Sequence, residues 1–412
     1  MDISKPPVRP PGRMPGRSTR ILIGLAAGLA TGVAIAGSNV AAPVVAIARP
    51  VGKLWIDALT MTVVPLVFSL LVTGIAGAAG SAGGRVARQA MLWFAGLLVL
   101  ACVAAAAATT LALAAWPVPA EAGALRSAGP APDMGAAGAW LDNIIPTNPL
   151  RAAADTAMVP LVVFAMFMGF ALSRIDAPLR EALLAVFKGL AQAMLVIVGW
   201  VLWLAPIGVF ALAIGVGLTA GVGAAGVLLH YMVMVIGACL LGIALAYAAA
   251  ALAGRLSPLA FGRAALPAQV VAMSTQSSLA SLPAMIAAAA PLGVDRAAAG
   301  IVLPLAVSIF RMSSAAANIA VAIYLGHVHG VELSLATLAL GALVAAAVSV
   351  AAVGLPAQVS FFAVVGPVCL AMGVPLTLLP LLLAIETIPD IFRTIGNVTG
   401  GLAVTRIVGR AV

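Results

Sequence analysis

The 412 residues are 64% apolar and only 8% charged, with a mean hydropathy of +1.20, against roughly 45–50% apolar and 25% charged in a soluble domain. This excludes an ordinary soluble enzyme, and recurrent apolar runs long enough for a hydrocarbon layer of about 30 Å exclude disorder. The formal charge of +9 does not signal nucleic acid, because most of the cations stand in short connections between apolar runs.

Those runs are continuous Ala, Leu, Val and Gly, without the roughly 10-residue alternation of a membrane β-barrel. The fold class is therefore an all-α polytopic membrane protein. Residues 1–20, with Pro6, Pro7, Pro10, Pro11, Pro15 and five cations, read as a flexible basic tail. The run from Ile21 offers a small-residue cleavage pattern at Ala34-Ile35-Ala36, but the many spans that follow favour an anchor over a removed signal.

Apolar spans are predicted at about 21–48, 54–81, 90–116, 142–173, 182–217 and 222–253. The cations of the tail and of the breaks around Arg85, Arg88, Arg174, Arg180, Lys188, Arg255, Arg263, Arg296, Arg406 and Arg410 fall on one side. Arg49, Lys53, Arg126 and Arg151 fall on the other. The positive-inside rule then places both termini in the cytoplasm of a multi-pass protein of the cell's inner (plasma) membrane. Pro117–Ala139 reads as an external Pro/Gly/Ala-rich loop.

Beyond residue 257 simple spanning stops. Segments 258–292 and 336–375 are apolar but interrupted, the first by Ser274-Thr275-Gln276-Ser277-Ser278 and Pro283, the second by Gly354-Leu355-Pro356-Ala357-Gln358. Irregular backbone at membrane depth is tolerated only where it is buried in protein or lines a cavity, so both read as re-entrant hairpins with polar tips. Each precedes a helix carrying one arginine, Arg311 or Arg393. Such a pair in corresponding halves points to a transporter site at an inverted repeat.

Glu386, Asp390, Arg393, Thr394 and Asn397 share one stripe of the last predicted helix. Two readings stand: an Asp390–Arg393 ion pair that only neutralises itself, or a site in which Arg393 grips a carboxylate while Asp390 accepts from an ammonium. Arg311 likewise reads as a salt-bridge partner of Glu386 or Asp390, or as a second carboxylate reader.

Arg393-Thr394-Ile395-Gly396-Asn397-Val398-Thr399-Gly400 resembles the RTxxNVTG signature of the dicarboxylate/amino acid:cation symporter family, the glutamate-transporter-like group. Val64-Pro65-Leu66-Val67-Phe68, Ile145-Pro146-Thr147-Asn148-Pro149, Ala205-Pro206-Ile207-Gly208-Val209-Phe210 and the Ser277-Ser278 hairpin with Leu282-Pro283 resemble its other landmarks, in order. The resemblance implies eight transmembrane helices plus two hairpins in inverted repeats, assembled as a homotrimer that works as an elevator. Scaffold helices would lie at about 21–81 and 142–217, and a mobile unit at about 90–116 and 222–410. It implies substrate contacts from Arg393, Asp390, Thr394, Asn397, Gln276, Ser277, Ser278, Ser314 and the tip residues Gly354, Leu355 and Pro356. Ion coupling would involve Glu386, Asp390, Arg311 and Asn397, with no prosthetic cofactor.

The sequence also departs from the family pattern. The motif NMDGT falls on Phe310-Arg311-Met312-Ser313-Ser314, so its carboxylate is Met312; the aspartate after NVTG is Gly401; and two glycines of the second tip are Ala357 and Val359. Losing two hard anionic ligands beside a fixed Arg311 charge argues against full sodium stoichiometry. Proton coupling through Glu386 or Asp390 remains, as does one residual sodium site of backbone carbonyls.

The expected function is secondary active symport of a small carboxylate-bearing solute, an acidic amino acid or C4-dicarboxylate, driven by a proton or sodium gradient. A cystine or neutral amino acid symporter, or a transport-inactive receptor or channel, are the alternatives. Ser277 and Ser278 lack the context of a hydrolase, since GxSxG and HExxH are absent. Cys102, Cys239 and Cys369 read as packing residues, and His230, His327 and His329 as surface or interface residues, with His327 and His329 in an external loop. The partners are the solute, the lipid bilayer and further copies of the chain.

Overall fold

The computed structural model describes residues 17–81, 85–125, 145–221, 223–351 and 357–410. Tail residues 1–16, residues 126–144 of the long connection and the second tip, residues 352–356 with Gly354, Leu355 and Pro356, lie outside the described residues. Among the described residues all regular structure is helical, and five helical stretches are long and apolar enough to cross a membrane.

The first apolar run folds as α1 (Arg17–Ile35), so the last four residues of the expected tail are helical. Residues 36–40 then turn through Gly37 at φ +75°, and α2 (Ala41–Thr60) follows. The expected span 21–48 is thus two helices, and Arg49, Pro50 and Lys53, read as a connection, lie inside α2. An exposed Lys53–Asp57 pair at 2.5 Å, one turn apart, lets the helix carry these charges at its surface.

Next come α3 (Val63–Ser81) and α4 (Arg85–Ala115). The span expected at 142–173 divides into α5 (Pro149–Ala154), capped by the Asn148 side chain, and α6 (Met158–Leu172). The span expected at 182–217 divides at Leu204 into α7 (Ala177–Trp203) and α8 (Ala205–Ala220), because Pro206 starts a helix more readily than it continues one. A long α9 (Gly223–Leu252) closes this half.

The first interrupted segment forms a hairpin of α10 (Pro258–Thr275) and α11 (Leu282–Ala287), whose arms touch. After it, α12 (Arg296–Ile309) and α13 (Met312–His329) are separate helices. The second segment gives α14 (Leu335–Ala351) and α15 (Ala357–Ala371), again packed together, then α16 (Leu379–Leu383) and α17 (Thr387–Arg410). His327 and His329 sit in the last turn of α13 rather than in a loop, and His230 is buried against Tyr324 at 3.2 Å rather than at the surface.

Packing falls into two groups. In one, α1 and α2 lie on α8, and α3 lies on α6 and α7; in the other, α9, α10, α12 and α13 pack on α17, with α4 against α13. The arms α14 and α15 bridge the groups by also touching α3. Helix α13 is enclosed nearly all round, which its Ala, Ser, Val and Ile side chains allow.

The α1–α8 contact is glycine-driven. Gly24, Gly28 and Gly32 recur every four residues along α1 and face the α8 backbone. A Cβ on Gly28 would stand 2.7 Å from the Ala213 Cβ, and one on Gly32 2.9 Å from the Gly217 Cα. Within lipid, where burial of apolar surface gives helices no preference for one another, such close approach is the source of adhesion. Gly28→Leu is therefore expected to cost about 1–3 kcal/mol, seen as a lowered thermal midpoint in detergent, while Gly96→Leu, in open space, leaves the midpoint unchanged.

Candidate functional site

Two helices begin inside the bundle. Phe310 (φ −107°, ψ 99°) and Arg311 (φ −126°, ψ 58°) leave helical geometry, so the arginine-bearing helix expected after the first hairpin is interrupted at Arg311. The Phe310 ring stacks on Phe94 of α4, with centroids 4.5 Å apart, which holds the break in place. Likewise residues 384–386 form a turn before α17, so Glu386 precedes the helix on which the sequence pattern places it. Its carbonyl still accepts from the Asp390 backbone N–H at 3.0 Å.

A helix start leaves backbone N–H groups without partners, which is costly away from water. For α13 the solution is Asn397: its Oδ1 accepts from the backbone N–H of Ser313 and of Ser314, each at 3.1 Å, and its Nδ2 donates to the Ser314 Oγ at 2.8 Å. Gly396 permits this approach, since a Cβ there would collide with the Ser313 side chain. Asn397 and Ser314, for which the family resemblance implies solute contacts, are thus engaged with each other. Thr394 donates to the Asp390 carbonyl at 2.9 Å within its own helix.

The ionised groups meet beside this cap. Arg393, 5% exposed, places Nη2 2.6 Å from Oε1 of Glu386, itself 1% exposed. Its Nη1 donates to Oδ1 of Asn318 at 2.9 Å, and its guanidinium lies 5.9 Å from the centre of the Phe361 ring. The Tyr231 hydroxyl donates to the other Glu386 oxygen at 2.9 Å. The internal partner of Arg393 is therefore Glu386, and not the Asp390 one turn before it. The contact is an ion pair off hydrogen-bond alignment, leaving Oε1, Nη2 and Nε without aligned partners among the described residues.

Asp390 lies within electrostatic reach of Arg393 and Glu386 as well as of Arg311, yet neither Asp390 nor Arg311 makes an ion pair within 4.0 Å among the described residues. The Nε of Arg311 is buried with no hydrogen-bond partner among them.

The first hairpin brings its tip to the start of α17. Gln276 takes the left-handed conformation (φ 51°, ψ 32°) and its Nε2 donates to the Thr387 carbonyl at 3.4 Å. Ser277 shapes the turn, its Oγ accepting from the Ala280 N–H at 3.2 Å, and Ser278 is buried. The second-tip residues Gly354, Leu355 and Pro356 lie outside the described residues.

Tyr231 and Asn318 escaped the sequence reading. Asn318 is an amide in an apolar helix and continues the stripe of Arg311 and Ser314 at i+7 and i+4, a signal of intramembrane function. Tyr231 is one hydroxyl in a long apolar span, and only its partner marks it out. Two positions that depart from the family pattern, Met312 and Gly401, are apolar and closely packed. Met312 is fully buried, and a Cβ on Gly401 would stand 2.9 Å from the Met285 Cε and 3.2 Å from the Ala306 Cβ. Among the described residues no group of three or more His, Cys, Asp or Glu is placed to hold a metal ion.

Apolar spans that enclose two interior helix starts around an ionised cluster, with a polar hairpin tip reaching the second of them, define a multi-pass membrane transporter. The sequence profile of the sodium:dicarboxylate symporter family matches residues 18–411, and the chain belongs to that family. The proton/glutamate-aspartate symporter of Escherichia coli (strain K12) is 27% identical over 385 residues, 89% of this chain and 86% of that protein. The neutral amino acid transporter B(0) of Oryctolagus cuniculus is 30% identical over 417 residues, 89% of this chain and 75% of the relative. The C4-dicarboxylate transport protein of Rhizobium johnstonii is 27% identical over 377 residues, 88% and 82% of the two chains. The protein is a cation-coupled transporter and not an enzyme.

Asn397→Ala removes three hydrogen bonds and orphans two buried N–H groups at the start of α13, each costing about 1–3 kcal/mol. The expected result is a marked fall in thermal midpoint, with Asn397→Asp retaining more stability than Asn397→Ala because a carboxylate still accepts from both amides.

Proposed function

We propose that the protein is a secondary active symporter for a small carboxylate-bearing solute of the amino acid or C4-dicarboxylate kind. The observation that carries this reading is the charge cluster itself. Arg311, Glu386, Asp390 and Arg393 gather where two helices start and a hairpin tip ends. Ionisable groups inside a bilayer cost several kcal/mol each and persist where they serve a pathway or a site. Interior helix N-termini add partial positive charge, which favours an anionic group.

In this reading the contacts come from Asp390, Arg311 or Arg393, and the tip residues Gln276, Ser277 and Ser278, joined, as the family resemblance implies, by Gly354, Leu355 and Pro356. Thr394, Asn397 and Ser314 shape the floor. The group containing α9–α17 with α4 moves against the group of α1–α3 and α5–α8 in each copy of a homotrimer. The packing of α1 and α2 on α8, and of α9, α10, α12 and α13 on α17, supports this division, with α14 and α15 touching both groups. The charge asymmetry of the connections supports cytoplasmic termini.

For the coupling ion we propose a proton carried at Asp390 or Glu386, with Arg311 standing where a bound cation would neutralise the site. Met312 and the closed space at Gly401 support this, because neither position offers sodium a hard oxygen ligand. Proteoliposomes given a labelled panel under an imposed proton, sodium or null gradient test both statements. Accumulation under the proton gradient alone is expected. Uptake only with sodium, with a Hill coefficient above one, overturns the coupling assignment, and mere equilibration without accumulation overturns symport.

A further inference from the structure

We infer that the cleft where α3, α6 and α7 meet is a binding site for an anionic phospholipid, whose phosphate group Arg174 and Arg180 hold while its acyl chains lie along α6 and α7. The site is remote in sequence from the charge cluster of the last helix and does not depend on how that cluster is read. Only the leaflet that supplies the lipid rests on the proposed cytoplasmic termini.

The cleft encloses about 810 Å³. Ala76 of α3, Phe167 and Phe170 of α6 and Leu184 of α7 form its apolar walls, and Ser173, Arg174 and Arg180 its polar end, around the connection from α6 to α7. One turn deeper, aromatic packing fixes the walls. Phe68 of α3 stacks on Phe164 of α6 with ring centres 5.8 Å apart, and meets Phe187 of α7 edge-on at 5.7 Å. Gly169 lets α6 close on α3, since a Cβ there would stand 2.8 Å from the Ile75 Cβ. The three helices are therefore held before any ligand arrives, which lowers the ordering cost of binding.

Both arginines are uncommitted. Neither makes an ion pair within 4.0 Å among the described residues, and the acids of the same connection, Asp176 and Glu181, do not line the cleft. Asp176 stands one turn before Arg180, the favourable order for an acid and a base on a helix, yet the pair is not made, whereas Lys53 with Asp57 and Arg151 with Asp155 pair at that same spacing. Arg180 is instead half-buried in the cleft. Two planar donor forks in one cleft match the oxygens of a phosphate group.

The apolar surroundings select a lipid over a soluble anion. Phe167 is 60% and Phe170 53% exposed, and Leu179, Leu183, Val186 and Leu190 form an exposed stripe of α7 that begins at the level of the cleft. A free phosphate gains nothing from such surface, while acyl chains cover it. The positive-inside rule puts the connection holding Arg174 and Arg180 at the cytoplasmic face, whose leaflet carries anionic lipid, and basic pockets between spans on that side suit anionic headgroups.

The test is native mass spectrometry of the full chain in detergent, titrated with phosphatidylglycerol or phosphatidylcholine. It compares wild type, the double variant Arg174→Gln/Arg180→Gln, and Arg296→Gln, which removes an exposed cation that does not line the cleft. Wild type is expected to bind phosphatidylglycerol about tenfold or more tightly than phosphatidylcholine, and the double variant to lose that preference. Arg296→Gln is expected to keep it, and Arg174→Lys/Arg180→Lys to keep most of it. Equal phosphatidylglycerol affinity in wild type and the double variant overturns the inference, as does an equal loss in Arg296→Gln, which would mean surface charge in general. Competition by glycerol 3-phosphate at the concentrations at which the lipid itself competes makes this a soluble-anion site and overturns the lipid assignment. A double variant with altered oligomeric state but unchanged lipid affinity gives the cleft to a second copy and also overturns it. Should the double variant fail to fold, Arg174→Gln and Arg180→Gln singly decide, each expected to weaken phosphatidylglycerol binding several-fold, and no change in either overturns the inference. Solute uptake enters none of these readouts, so failure here leaves the symporter reading intact.

Discussion

Arg393 carries a permanent charge into the middle of an apolar bundle, and much of the interior is arranged to meet it. Taking a guanidinium out of water costs several kcal/mol unless a counter-charge and hydrogen bonds replace the lost hydration. Here the counter-charge comes from the turn before α17, the hydrogen-bond acceptor from α13, and a further anchor from Tyr231 on α9. Three elements far apart in sequence are thereby fixed in register. Small residues make it geometrically possible: Gly396 and Gly242 both face Ser313, so α9, α13 and α17 come close enough for short polar side chains to reach across.

The interior helix starts follow the same logic. A bundle of continuous helices satisfies its own backbone and offers a solute nothing but apolar side chains. Breaking the chain at Phe310–Arg311 and at residues 384–386 exposes backbone donors at the centre, and each needs a partner. Asn397 partners those of α13, while the Phe310–Phe94 stack holds the extended segment where the donors are useful. The result is a polar centre that is ordered before any solute arrives, a condition for selective binding.

The same region shows how one family architecture can change its charge economy. Where the family pattern has carboxylates, this chain has Met312, which is fully buried, and Gly401, which Met285 and Ala306 face. Packed apolar atoms thus stand at these two positions, beside a fixed cation, Arg311. A guanidinium that is always charged contributes the same field under all conditions.

Membrane class, helical nature and the polar stripe of the last helix from Asp390 to Asn397 were legible in the sequence, because each rests on local composition or on helical period. Helix ends were less so. Pro50 and Lys53 look like a boundary yet lie within α2, where an exposed pair one turn apart carries the charge, while the break at Arg311 has no Gly or Pro to announce it. The polar residues themselves were readable, but not their pairing. Spacing places Asp390 and Glu386 equally well beside Arg393, and Tyr231 and Asn318 gain meaning only from what they touch. Sequence alone determined what kinds of groups enter the membrane and on which helix faces. Tertiary structure decided which charge neutralises which, because a buried pair is selected by distances of a few ångströms across helices, and those distances are set by where glycines let backbones meet.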